Sequence, residues 1–522
     1  MKDEYYEIES IKPFSQSLIW KLNRDYYQDK GVTAWSEDAV PHQMTSNSKV
    51  GKIYAELILA FLKDLSAKGR TTETVYILEL GAGHGRLAFH ILKHLQKLEP
   101  VLGIELPPYC YIVSDIVEKN LDFYRDHPQF QEYFKKGNLD LAYYDASNSQ
   151  EIYLRYSKIT IKAQSLDQPI VVIANYFFDS IPNDLFIVKD GLISSCSVSL
   201  QSKENPNDLS AEMLIKSMEL TYHNNLLEKP FYAEPILNEI LEDYKELISD
   251  THLFFPERGM HCIKNIKSFS TEGMMLLSMD KGFHEIHDLE KKGEPDLVTH
   301  GSFSLWVNYH ALIAFCEKTG GQVLFPTAST FHLDFGCLLF LADSSTYFKT
   351  QTTYEHYVND FGPDDFNSIK KLAYLSVAGL TTMELIALYR LSTYDSTFFI
   401  NLLPRLKQVT QAITFNERRR VEQTLHNVWE MYFSINESYD LAYELAGLFY
   451  DLGFYNEALD YFQFSWDSFG PKTDIYYNRI LCYYQLRQDH LFAKTLKEAK
   501  LTYPNEAIFD SLENLDMTTV KI

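Results

Sequence analysis

The chain has 522 residues, which at about 150 residues per domain predicts three or four domains. Its composition, 46% apolar and 23% charged, is that of a globular protein and excludes long disorder or a fibrous architecture. A formal net charge of −23, from 48 basic and 71 acidic residues, repels phosphate backbones and anionic lipid at long range, so neither nucleic acid nor membrane is an expected partner.

The cysteines at 110, 196, 262, 316, 337 and 482 form no CxxC pair and no cluster with zinc spacing. They read as small core residues of a reducing compartment, and no metal site is expected. The opening MKDEYYEIESIKPF lacks an apolar h-region, and no run of 18 apolar residues occurs. These features point to a cytoplasmic protein.

In chain order, residues 1–50 read as a helical lead-in, with Leu18, Trp20, Leu22 and Tyr26 amphipathically spaced before Gly31 and Pro41. A second helix is expected in YAELILAFLKDL. The pattern then changes. VYILEL at Val75–Leu80 is a short apolar run ended by glycines, the form of a buried parallel strand. Leu87–Leu98 follows with one apolar helical face. Further strands are predicted at Cys110–Asp115, Pro169–Asn175 and Met274–Asp280. Gln322–Pro326 and Phe335–Leu341 read as an antiparallel pair. Strands alternating with helices define an α/β doubly wound, Rossmann-like sheet over 51–345, interrupted by a mostly helical insertion at about 200–260.

Residues 346–522 read as an all-α domain. Ala442, Leu445, Ala446, Phe449, Gly453, Ala458 and Phe462 set a pattern closed by Pro471. Tyr476, Tyr483, Leu496, Ala499 and Pro504 repeat its spacing 34 residues later, with Arg479 and Arg487 where Leu and Gly are expected. Small residues where two helices touch, and a proline closing the second, are tetratricopeptide (TPR) spacing, clearest over 439–505.

The strongest chemical signal is Glu79–Gly85, ELGAGHG. Glycines between a buried strand and a helix let the backbone approach a ligand, and the helix N-terminus presents free N–H groups. A P-loop would need GxxxxGK[ST], which is absent. A dinucleotide turn wants Gly or Ala where Arg86 stands. The acid-xGxGxG form is instead the signature of class I methyltransferases that bind S-adenosyl-L-methionine, so Glu79, Gly81, Gly83 and Gly85 are candidate cofactor residues. Asp115, ending the second strand, is placed to accept the ribose hydroxyls, or else to cap the next helix. Asp145, in YYDAS, is placed to accept an adenine amino group or to stabilise a turn.

Asn175-Tyr176-Phe177-Phe178-Asp179 follows a strand at the sheet edge where ligands bind in this fold. An amide oxygen beside aromatic rings can hold a nucleophilic amine away from water. Asn175, Tyr176 and Asp179 are therefore candidate catalytic residues, and Asn175 also borders the cofactor. Asp280 and His300 follow later strand positions, and His300 is a candidate proton acceptor.

In order, ELGAGHG, ANYFFDSIP, FFPERG, MDKG and DLVTHGSF resemble the MidA-like methyltransferases over about residues 40–345. Members of that family act in mitochondrial complex I assembly and methylate protein arginine. The resemblance implies that Glu79, Gly81, Gly83, Gly85 and Asp115 line the cofactor. It also implies that Asn175, Phe177, Phe178, Asp179 and Pro182 form the active-site edge, with Asp280 and His300 nearby. Tyr176, Lys281 and Ser302 replace the family's Glu, Tyr and Asp, and Asn47 and Ser48 stand for the Pro and Glu of its TSPE segment. These departures bear on the acceptor rather than on the cofactor.

The expected function is S-adenosyl-L-methionine-dependent methylation of a protein side chain, arginine or another nitrogen. The acidic surface favours a basic protein or peptide, with the TPR-like repeats docking a partner or substrate. The rival expectations are an inactive methyltransferase-like scaffold and a small-molecule methyltransferase.

Overall fold

The computed structural model describes residues 5–36, 40, 43–227, 230–327, 331–513 and 515. Two compact units divide the chain, residues 1–368 and 369–522.

In the first unit, strand β1 (Tyr6–Pro13) leads into helices α1 (Leu18–Lys30), α2 (Thr33–Ser36) and α3 (Ser48–Ala67). There follow β2 (Val75–Leu80), α4 (Arg86–Leu98), β3 (Tyr109–Asp115), α5 (Glu118–Asp126), β4 (Leu139–Tyr143) and β5 (Ile170–Asn175). A second set comprises β6 (Asp184–Lys189), β7 (Leu192–Ser202), β8 (Met218–Leu226), α6 (Pro235–Leu247), β9 (Asp250–Phe255) and α7 (Glu257–Lys267). The unit closes with β10 (Met274–Phe283), α8 (Tyr309–Lys318), β11 (Gln322–Leu324), β12 (Leu333–Phe340) and α9 (Phe348–Tyr354).

The main sheet has the order β11-β12-β10-β5-β2-β3-β4, with Val307–Asn308 pairing on β10 as its eighth strand. Strands β4, β3, β2, β5 and β10 run parallel, while β12 lies antiparallel to β10 and to β11. The apolar runs behave as their composition dictates. All of β3 and β12 is buried, because helices or loops cover both faces and leave no solvent face to alternate toward. The chain crosses over on opposite sides of β2, so the carboxyl ends of β2 and β5 flank a switch point, where such sheets open a crevice.

The segment 200–260 differs from the expected helical insertion. It holds helices Ala211–Ser217 and α6, but also the end of β7, all of β8, and β9. The N-terminal stretch is likewise not only helical, since β1 pairs antiparallel with β7. A second sheet results, β1-β7-β6-β9 with β8 on β7. β4, which local pattern did not reveal, edges the main sheet. The helix-like pattern of EMLIKSMEL yields at its end to nine residue pairs of β8 with β7, a tertiary pairing that overrides local propensity.

Buried Asp64 ties α3 to α9. Its carboxylate accepts from Lys349 N (3.1 Å), Thr350 N (2.9 Å) and Thr350 Oγ1 (2.9 Å), capping a helix that has no cap of its own. Asp64→Ala orphans both N–H groups and should destabilise the first unit by about 2–4 kcal/mol. Denaturant unfolding followed by circular dichroism checks this; an unchanged midpoint would show that water replaces the carboxylate.

In the second unit, the regular structure of the described residues is all helical. It comprises most of a helix at Pro363–Ser376, then α10 (Thr382–Leu391), α11 (Ser396–Val409), α12 (Phe415–Glu430), α13 (Leu441–Asp451), α14 (Tyr455–Phe469), α15 (Thr473–Gln485), α16 (Asp489–Thr502) and α17 (Ile508–Leu512). Reciprocal Thr–Glu capping boxes start α10 (Thr381, Glu384) and α12 (Thr414, Glu417). Helices α13 to α16 pack consecutively through short turns, which force antiparallel neighbours. Ala442, Leu445, Ala446, Phe449, Ala458 and Phe462 are all buried, as their spacing predicts. The α14 and α16 starts, Tyr455 and Asp489, lie 34 residues apart. Gly453 ends α13 at φ +80°, and Arg487, one period later, takes the same left-handed region at φ +54°.

Candidate functional site

A cavity of about 590 Å³ opens at the carboxyl edge of the main sheet. It is bordered by the loops after β2, β3, β4 and β5, by the start of the segment after Asp280, and by α1.

The turn after β2 forms its floor. Gly83 has φ +61°, and a Cβ there would lie 2.9 Å from the Trp35 ring. Gly85, φ +75°, stands at the N-cap of α4, with Tyr124 3.0 Å from where its Cβ would be. Both positions require glycine twice over, for backbone conformation and for space. Gly81 also lines the cavity, its φ at +58°.

Glu79 is buried below the turn, and its Oε2 accepts from Tyr111 Oη (3.0 Å). Burial pushes its carboxyl up to about 8, against the Tyr111 bond and with the Asp115 charge adding to it. Folding therefore holds a proton that the unfolded chain releases near the ordinary carboxylate range. Glu79's contribution to stability is complete at acid pH and is lost as pH rises toward 8. Glu79→Gln, which cannot titrate, should match wild type near pH 4 and exceed it by roughly several degrees in Tm at pH 8. A parallel pair of Tm–pH curves would contradict this.

Asp115 borders the cavity, and its carboxylate is engaged inward. Oδ2 accepts from Gly83 N (3.0 Å) and Asn120 Nδ2 (3.1 Å), and Oδ1 from Val117 N (2.9 Å). It joins the glycine turn to Val117, the residue before α5, but α5 has no side-chain cap, so the capping role foreseen for Asp115 is not made. Asp145 accepts from Ser147 N (2.9 Å), Asn148 Nδ2 (2.9 Å) and Arg24 Nη1 (3.1 Å). Burial alone would raise its carboxyl, but the Asn148 and Ser147 bonds and the Arg24 charge outweigh this and hold it below the usual range.

The segment after β5 makes the opposite wall. Asn175 Nδ2 donates to Thr45 Oγ1 (3.2 Å), while its Oδ1 is buried with no partner among the described residues. Tyr176 is held at φ +49°, its N–H donating to Met279 O (3.0 Å). A non-glycine residue in that region stores strain of about 1–3 kcal/mol, a common feature of functional walls. Phe177 and Pro182 line the cavity, whereas Phe178 is core at 1% exposure.

Asp179, in the turn after β5, and buried Asp280, on β10, lie beside each other. Asp280 Oδ1 accepts from Lys281 N (2.8 Å), and the Asp179 and Asp280 carboxyls interact directly with each other. Desolvation pushes Asp179 up to about 7, against the nearby Lys281 charge. Desolvation and the Asp179 charge push Asp280 further still. The pair holds a proton near neutrality, and of the two it is Asp179 that borders the cavity beside Asn175.

Of the sequence candidates, Glu79, Gly81, Gly83, Asp115, Asp145, Asn175, Tyr176 and Asp179 all border this one cavity. Gly85 supports the turn from behind, and Asp280 reaches the wall through Asp179. His300 lies on the short strand Val298–His300, and its side chain falls outside the described ones. The neighbouring Ser302, Phe303 and Ser304 do line the cavity. Sequence reasoning read Trp20 only as a helix-face residue and Thr45 only as a weak echo of the TSPE segment, and missed Arg24, Tyr27 and Trp35; all five line the cavity. The one signal for the missed three was the aromatic density of residues 20–35. No group of three His, Cys, Asp or Glu side chains placed to hold a metal occurs among the described residues. Nor is any of their helices long and apolar enough to cross a membrane.

Residues 55–308 match a family model described as "Putative S-adenosyl-L-methionine-dependent methyltransferase". No curated protein matches the chain. Three solved structures are similar in part. An uncharacterized protein from Burkholderia thailandensis is 15% identical, with 60% of this chain and 73% of that one covered and a TM-score of 0.36. A protein of the same superfamily and organism, bound to S-adenosyl-homocysteine, is 15% identical over 60% and 74%, with a TM-score of 0.37. The CMeT domain of the citrinin polyketide synthase is 12% identical over 51% and 47%, with a TM-score of 0.24. S-adenosyl-L-methionine is the cofactor, and the site has the chemistry to take it. Left-handed Gly81 and Gly83 line the cavity, a Cβ at Gly83 would collide with the Trp35 ring beside it, and the Asn175 oxygen on the same cavity is without a partner.

Proposed function

We propose that this chain, an S-adenosyl-L-methionine-dependent methyltransferase, methylates a nitrogen nucleophile on a protein or peptide side chain, arginine or another nitrogen. The observation that carries this reading is the pairing, on one wall of the cavity, of the buried Asn175 oxygen, which has no partner, with the raised carboxyl of Asp179. A buried oxygen left unfilled favours a group that brings N–H donors, and nitrogen nucleophiles do so.

In this reading Glu79, the glycine turn, Asp115 and Asp145 hold the cofactor. Bound there, S-adenosyl-L-methionine supplies a methyl group on a sulfonium that is its own activated leaving group. The protein's work is then alignment, exclusion of water and disposal of one proton. Asn175 Oδ1 accepts an N–H of the nucleophile and turns its lone pair toward the cofactor. Tyr176 and Phe177 wall the approach from water. Asp179, paired with Asp280, takes the proton that the nitrogen gives up, a task suited to a carboxyl tuned near neutrality. His300 is a further candidate for that step.

Three finer assignments belong to the same proposal. The domain is of the MidA-like kind, by the order of its motifs. Helices α13–α16 are TPR-like repeats that dock a protein partner or substrate, supported by their 34-residue period and buried small residues. A net charge of −23 favours basic acceptors in a cytoplasmic setting. Tyr176, where the resembling family carries Glu, leaves one carboxylate fewer to hold a guanidinium, so amine and guanidinium acceptors should be tested side by side.

The test is thermal unfolding with S-adenosyl-homocysteine, NAD and ATP in parallel arms, then methyl transfer to basic peptides read by mass spectrometry. A hundredfold excess over Kd stabilises by about 2.7 kcal/mol. A shift with S-adenosyl-homocysteine alone, followed by a methylated lysine, arginine or histidine, is the expected result. No shift, confirmed by calorimetry, would leave an inactive scaffold as the better account.

A further inference from the structure

The family match begins at residue 55, yet one wall of the cavity is built from residues before it. Helix α1 is wedged between two surfaces. Ile19, Leu22 and Tyr26 are buried with Leu185, Val198 and Leu200 in the core under the second sheet. Trp20, Arg24 and Tyr27, spaced i, i+4 and i+7, share the face that borders the cavity.

Two bonds tie that face to opposite sides of the site. Arg24 Nη1 meets Asp145 Oδ2 at 3.1 Å, and Tyr27 Oη meets Ser302 Oγ at 3.0 Å. Trp35, on α2, stacks on Tyr27, with ring centroids 5.5 Å apart and planes at 21°. It stands edge-on to His84 at 5.5 Å and packs so closely on Gly83 that a Cβ there would collide with its ring.

We propose that Trp35 is a cofactor-contacting residue, presented by α1 and α2 beside Gly83 and stacked on Tyr27. A ligand that crosses the glycine turn at Gly83 meets the Trp35 ring, since that ring borders the cavity and touches the turn itself. An aromatic face at that point supplies flat apolar contact to an adenosyl group or to its thioether chain. The inference rests on the methyltransferase reading and adds to the cofactor site a residue from outside the family match.

The experiment titrates S-adenosyl-homocysteine into the full chain by calorimetry and by intrinsic fluorescence, for wild type, Trp35→Phe and Trp35→Ala. Wild type should show a tryptophan signal on binding. Trp35→Phe should keep Kd within about twofold and lose most of that signal, which separates Trp35 from the nearby Trp20. Trp35→Ala should raise Kd about tenfold. An unchanged Kd for folded Trp35→Ala, whatever the fluorescence, overturns the proposal and leaves the methyltransferase reading standing. If Trp35→Ala does not fold, persistence of the full signal in Trp35→Phe overturns it instead. Wild type that binds no S-adenosyl-homocysteine by calorimetry overturns both.

Discussion

Gly83→Ala is expected to weaken binding of S-adenosyl-homocysteine by about 10–100-fold. Alanine at φ +61° carries strain of about 1–3 kcal/mol, and its methyl group would enter the Trp35 ring at 2.9 Å. Relief requires the turn to rotate or Trp35 to retreat, and either change reshapes the cofactor floor. The N–H that Gly83 donates to Asp115 would move with it, loosening the joint between the turn and α5. Gly69→Ala is the matched control. Gly69 has φ +74° with nothing within 4 Å of its would-be Cβ, so that variant carries the same backbone strain away from the site. Calorimetry on both should find Gly69→Ala less stable but unchanged in affinity. Equal affinity in all three proteins would mean that the glycine turn does not bear on the ligand.

Asp179→Asn is expected to lower kcat about 10²–10⁴-fold on the peptide acceptor found by the screen, the usual range for loss of a positioned base. Affinity for S-adenosyl-homocysteine should stay within about twofold, since Asp179 lies on the acceptor wall. The pH profile supplies the sharper reading. A carboxyl that burial pushes up to about 7 is protonated below that pH and cannot accept a proton there. Wild-type kcat should therefore rise with pH through about 7, and the variant's residual rate should not. The sign for stability is opposite. Folding raises this carboxyl above its unfolded value, so its contribution is complete at acid pH and fades as pH climbs toward 7. The protein thus gives up stability over the window in which it gains a base. A variant that keeps both the wild-type rate and its acid limb would remove Asp179 from the mechanism and leave His300 as the proton acceptor to test.

Much of this site was legible before the fold was known, because its carriers are local. A buried strand, three glycines and an amphipathic helix occupy consecutive residues from Val75 to Leu98, and that order dictates a ligand-binding turn whatever surrounds it. The strand ends at Asp115 and Asn175 are legible for the same reason, since apolar runs of that length are parallel strands whose carboxyl ends share an edge, whereas the strand expected to end at Asp280 continues to Phe283. The buried positions Ala442, Ala446 and Ala458 of α13 and α14 were readable too, because small residues sit where two helices touch.

What the chain order could not reveal is pairing between distant segments. β8 and the strands beside it form a second sheet through partners such as β1, and their mixed polar sequence carries no helix or strand period of its own. Residues 17–36 look like a plain amphipathic helix, yet Arg24, Tyr27 and Trp35 complete the cavity because the second sheet holds α1 against it. The raised carboxyls of Asp179 and Asp280 belong to neither residue alone. They follow from the turn after β5 and the strand β10 being brought together in a space that excludes water, where a single shared proton is cheaper than two buried charges. Sequence by itself determined the kind of turn, the parallel strands and the cofactor class, all set by contacts within a few residues. Only the tertiary structure decided which walls enclose that turn and which carboxyl is tuned to accept a proton, because burial and charge coupling depend on neighbours far apart in the chain.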